Sequence, residues 1–310
     1  WQEQFNLFLN VAAQVMLDEG GKMLRESERK NPKFNPLYFP LASWYMLNDW
    51  PSHAFRAVHK VLSAFKGDVE IHEMIQSLSD AAKEMIQFLA STYDLPFEKA
   101  EQASWYNEQA QLALFDGNLS EVAHMANKAL KFAPAWTAPR NNYAHALYFN
   151  GKYMQAIGEA ERVLKDDPDN IHGLNNLVIF HTGMSHEDKA SEYADRLFEL
   201  SSEYEKDAME INIIITGLAI IEDTNSLWKL AQRYSRKRED SLLLNSWHCL
   251  GVAAVRLGHI KEAKKLLEHS LGDGSTEVVY PLLEKVNAAM KTKKKKLLWS
   301  PMYPGLEILF

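Results

Sequence analysis

Along the middle of the chain, small and apolar side chains return in the same order every 34 residues. From Thr137 to Asn170 the order is Tyr143-Ala144 and Leu147, then Gly151, then Ala156 and Ala160, then Pro168. One period earlier the same slots hold Gln109-Ala110, Ala113, Gly117, Val122, Ala126 and Pro134. One period later they hold Leu177-Val178, His181, Ala190 and Ala194. Tyr38, Leu41-Ala42, Tyr45, Ala54 and Val58 fall into the same frame upstream. Apolar positions at i, i+3, i+4 and i+7 put one stripe on a helix. Each period therefore predicts two amphipathic helices packed on each other. Small residues in both stripes let the two backbones approach closely. Gly117, Gly151 and Gly258 stand where the first helix of a pair ends, and glycine tolerates the left-handed cap used there. Pro134 and Pro168 cannot continue a helix and so close the second.

The pattern predicts an all-α chain. Clear repeats cover 35–68, 103–136, 137–170, 171–204 and 244–277. The stretch 69–102 keeps the length but lacks the central glycine. There Val69–Thr92 reads as one long amphipathic helix, ended by Asp94-Leu95-Pro96. The stretch 205–243 is five residues too long, with Ile211–Ile221 as its buried first helix and Ser226–Tyr234 as its second. Residues 1–34 supply an N-terminal capping helix. Residues 278–310 hold the rest of a C-terminal capping helix that starts near Thr276, a basic run and an apolar tail. Terminal repeats of such arrays are expected to be atypical, because each turns one face to water.

The fullest period reads Trp247-x2-Leu250-Gly251-x2-Ala254, Gly258, then Ala263-x3-Leu267. It resembles the tetratricopeptide (TPR) family, whose signature is W-x2-L-G-x2-Y followed by A-x3-F and P. It departs at Ala254 and Leu267. The resemblance spans about 35–277. It implies a right-handed superhelix of antiparallel helix pairs with capping helices at both ends, non-enzymatic and binding a protein or peptide in its concave groove. The family's inward-facing positions, carried onto this sequence, are Asn107, Gln111 and Phe115 in one repeat. In the next they are Asn141, Asn142, His145, Tyr148 and Phe149. The third gives His172, Asn175, Asn176 and Ile179, and Asn212, Asn245 and His248 extend the row. An asparagine offers both an acceptor and two donors. A row of them can pair with the backbone of an extended peptide, or simply bond across repeats; the sequence leaves both open. A carboxylate clamp of the kind that grips chaperone C-termini is not expected, because Asn107, His172 and Asn176 stand where its basic residues belong.

Composition narrows the classes. Hydrophobic residues make up 46% of the 310 and charged ones 24%, as in a soluble folded chain. Cys249 is the single cysteine, so no internal disulfide or cysteine-based zinc site is expected, and a reducing, cytoplasmic setting fits. No secretory signal is visible, and no apolar run approaches a membrane span. Neither H-E-x-x-H nor G-x-S-x-G occurs, and Asp166-Asp167-Pro168-Asp169 lacks the spacing of a calcium loop. The residues call for no enzyme, no cofactor and no metal.

The net charge of −7 hides an asymmetry. Residues 1–228 carry 33 acidic and 19 basic side chains, whereas 229–296 carry 7 and 15. Arg233, Arg236, Lys237 and Arg238 form one basic cluster. Lys293, Lys294, Lys295 and Lys296 end another. These could contact nucleic-acid phosphates, or serve only as solvated helix ends that complement a C-terminal dipole. Three functions follow: a peptide- or partner-binding scaffold, a regulatory or substrate-recognition module for a catalytic protein, or a nucleic-acid-binding solenoid.

Overall fold

The computed structural model describes residues 26, 29–30, 38–64, 69–235, 242, 244–271 and 276–292. Among them lie fourteen α-helices and no strand. They are α1 (Tyr38–Leu47), α2 (Pro51–Ala64), α3 (Val69–Thr92), α4 (Phe97–Phe115), α5 (Leu119–Phe132), α6 (Thr137–Phe149) and α7 (Tyr153–Asp166). The series continues with α8 (Ile171–Gly183), α9 (Glu187–Leu200), α10 (Ala208–Ile220), α11 (Thr224–Tyr234), α12 (Leu244–Arg256), α13 (Ile260–His269) and α14 (Thr276–Thr292). The N-terminal helix expected before residue 25 and the tail after 292 lie outside the described residues.

The chain forms two compact units, Trp1–Ala146 and Leu147–Phe310. In the first, α1 packs on α2, α2 on both α3 and α4, and α4 on α5. Its cores gather aromatic side chains around Trp44, Tyr45 and Trp50, and small ones around Ala110, Val122 and Ala126. In the second, α8, α10 and α12 touch one another in succession while α9 and α13 cover them. One continuous, largely aliphatic core that also holds Tyr234 and Trp247 runs from Ile171 to Ala289.

One turn recurs between the helices of each pair. Asp49, Gly117, Gly151, Ser185, Glu222 and Gly258 all have positive φ, between 57° and 81°. At each of them the following N–H reaches back five residues to a carbonyl at 2.8–2.9 Å, as in Lys152 N–H to Leu147 O. This is the glycine-type helix cap predicted at three positions; the other three use residues that carry a Cβ. A left-handed conformation costs such a residue about 1–2 kcal/mol. Ser185→Gly is therefore expected to raise the urea midpoint, gaining about 0.5–1 kcal/mol after the entropic cost of glycine. A lower midpoint would contradict the assigned cap.

Spacing of these turns explains the two irregular stretches. Asp49 and Gly117 are two periods apart, and at Lys83, halfway between them, α3 continues unbroken. The turn missing from the sequence there is missing from the fold. From Ser185 to Glu222 is 37 residues and from Glu222 to Gly258 is 36. The five extra residues are thus split, three before the α10–α11 turn and two after it. The connection before α10 is tied down by Tyr234, whose hydroxyl donates to Glu205 O at 2.9 Å.

Small residues sit where the helix pairs close. Ala144, Ala160 and Ala263 are fully buried. A Cβ on Gly251 would come within 2.7 Å of Leu267 and 3.3 Å of its backbone nitrogen. Cys249 is fully buried, and burial pushes its thiol up to about 12, so it is a packing residue.

Candidate partner-binding site

The positions expected to face inward divide between contacts across repeats and a groove. In the first unit, Asn142 donates from Nδ2 to Asn107 Oδ1 at 2.9 Å, joining α6 to α4. Asn107 and Asn141 are buried. His145 is half-buried, and burial pushes its imidazole down to about 4. Gln111 borders an open cavity.

In the second unit, Tyr148 is buried and stacks on Phe180, ring centres 4.5 Å apart, with Phe149 edge-on at 5.1 Å. Its hydroxyl fills the space where a side chain on Gly183 would begin, so this aromatic pair cements two repeats. His172 is exposed with Glu210 at 3.6 Å. Asn176 is buried, and Asn175 and Ile179 are half-buried. Asn212 accepts from Ser246 Oγ at 2.6 Å. His248 is 5% exposed, and neither ring nitrogen has a partner among the described residues. Burial pushes it down to about 4. The side chains of Phe115 and Asn245 lie outside the described set.

The groove that Gln111 borders has a volume of about 740 Å³ and belongs to the first unit. Asn107 and Gln111 of α4 form part of its floor. Met85, Phe88 and Leu89 of α3 supply one apolar wall, with Met46 and Trp136 across from them. Phe88 is 75% exposed, an unusual state for a large apolar side chain beside a cavity.

Around α4, about half a turn from Asn107, lies a second cavity of about 790 Å³ bordered by Tyr45, His53, Arg56, Lys60 and Trp105. Arg56 lies over Trp105, 4.4 Å from the ring centre, and pairs with Glu101 at 2.6 and 3.1 Å. Between the two cavities sits Glu108, 2% exposed. Its carboxylate accepts from the Ser52 and His53 amides at the start of α2, at 2.9 and 2.8 Å. It also accepts from Ser104 Oγ and from His53 Nδ1, each at 2.5 Å. The N–H of Gln109 meets the other ring nitrogen of His53, which requires the Nδ1–H tautomer. A buried carboxylate thus caps the positive end of α2 and locks two helices together.

Arg233 donates to Ser201 Oγ at 3.1 Å. Arg236, Lys237, Arg238 and Lys293–Lys296 lie outside the described residues. Among the described residues no cluster of His, Cys, Asp and Glu could hold a metal ion, and no helix is long and apolar enough to cross a membrane.

No family model matches the chain. It is 31% identical over 91 residues to the TPR repeat-containing protein YvcD of Bacillus subtilis. The match joins a sequence likeness to the successive helix pairs and their recurring cap. The chain is an α-helical repeat protein similar to this TPR repeat-containing relative. The matched stretch is 29% of this chain and 19% of the relative, so the chain spans about a fifth of that protein's length. In the TPR frame Glu108 stands one period before Asn142 and two before Asn176, a carboxylate in a row of amides. That substitution was the available signal for the capping hub. Phe88 and Trp136 carried no such signal, because α3 has no repeat partner and Trp136 lies in a connection.

Proposed function

We propose that this protein is a non-catalytic interaction scaffold and that the groove bordered by α1, α3, α4 and α6 receives a segment of a partner protein. The likeness to a TPR repeat-containing protein supports an interaction module in general. The exposed Phe88 beside an apolar groove carries the particular reading, since a solvent-facing phenylalanine gains by burial against a partner. Asn107 and Gln111 at the floor offer amides to the segment's backbone, and Met46 and Met85 adapt to different side chains.

A phage-displayed library of random linear dodecapeptides, panned on the purified chain, supplies ligands while the natural partner is still unidentified. Selected peptides, synthesised and titrated, are expected to lose about tenfold or more in affinity with Phe88→Ala plus Trp136→Ala, a loss of about 1.4 kcal/mol. Met154→Ala, at an exposed position of α7, should leave binding unchanged. Peptides that bind the groove variant and wild type equally would remove this proposal.

A further inference from the structure

We infer that the segment received by this groove carries lysine or arginine flanking a bulky aliphatic or aromatic residue, an inference that rests on the groove being the partner site. Sixteen described residues border the groove, and every charged one among them is acidic: Asp49, Glu84 and Glu108. Glu108 is spent on its four donors. Asp49 and Glu84 are exposed, and neither side chain has a hydrogen bond or ion pair with another described residue. Asp49 occupies the α1–α2 turn. Glu84 precedes Phe88 by four residues and so shares its face of α3.

The groove therefore sets apolar walls beside uncommitted carboxylates, with no cation among its described lining residues to offset them. Such an arrangement repels an acidic segment and favours a basic one whose apolar residue enters beside Phe88. The sign is local, because the second cavity of the same unit is bordered by Arg29, Arg56 and Lys60 as well as acidic residues.

The test pans the same dodecapeptide library on four proteins and sequences the recovered pools. They are wild type, Asp49→Asn/Glu84→Gln, Phe88→Ala, and Glu187→Gln/Asp188→Asn on the exposed start of α9. Wild type is expected to enrich Lys and Arg beside a bulky apolar residue. That enrichment should vanish in Asp49→Asn/Glu84→Gln and persist in Glu187→Gln/Asp188→Asn, which removes the same charge elsewhere. No basic enrichment on wild type, or equal enrichment on the groove double variant, overturns the inference. Recovery that falls with Phe88→Ala while basic enrichment is missing overturns this inference alone. Recovery indifferent to Phe88→Ala overturns the groove reading beneath it.

Discussion

Replacing Glu108 with alanine is expected to cost about 3–5 kcal/mol, because several buried neutral donors lose a charged acceptor at once and each hydrogen bond to a charged group is worth about 1.5–3 kcal/mol. Two amides at the start of α2, the Ser104 hydroxyl and the His53 ring all lose their acceptor together. Each buried donor left unmade carries a desolvation penalty, which is why the loss exceeds that of one hydrogen bond. Glu108→Gln should cost less, because its amide oxygen still accepts while its amide nitrogen faces donors. Urea unfolding followed by circular dichroism, fitted for the transition of the first unit, measures both. A loss below about 1 kcal/mol for the alanine variant would mean that the hub does not hold α2 to α4.

Acidification gives the second large effect. His145 and His248 are held neutral by burial down to about 4. Unfolded histidines take up a proton near 6.5. Between these values the unfolded chain binds more protons than the folded one, so stability is complete above the unfolded value and falls as pH drops towards 4. Each histidine contributes a slope of about 1.4 kcal/mol per pH unit in that window. The two residues lie in different compact units, so both units should weaken. His248→Phe removes a ring without partners and should flatten the profile of the second unit between pH 6.5 and 4. A profile as steep as wild type would contradict the burial assigned to His248.

The all-helical repeat architecture was legible because its cause is local. A 34-residue return of small and apolar side chains specifies helix pairs, and Gly117, Gly151 and Gly258 mark three of their turns. Asp49, Ser185 and Glu222 were not legible as caps, since none of them requires a left-handed backbone, serine and glutamate disfavour it, and only the packed pair imposes it. The continuous α3 could be read from the missing glycine and from Pro96. The division of the five extra residues could not, because length alone does not say on which side of a helix they fall.

The site was less legible for a related reason. Residues 34 or 35 positions apart face one another across neighbouring repeats, so Asn142 meets Asn107 and Ser246 meets Asn212. A repeated polar slot reads the same whether its amides serve the array or a ligand. The groove residues break the repeat: Phe88 lies on the undivided α3 and Trp136 precedes α6. Period-matching passes over such side chains, and only exposure beside a cavity singles them out.

Site-specific photocrosslinking in living cells tests the central claim most directly. p-Benzoylphenylalanine replaces Phe88 in one chain and Tyr280, an exposed aromatic of α14, in another. Irradiation is expected to yield a discrete crosslinked partner from position 88, lost when Asp49 and Glu84 are also neutralised, and none from position 280. Crosslinks to the same partner from position 280 but not from position 88 would contradict the account.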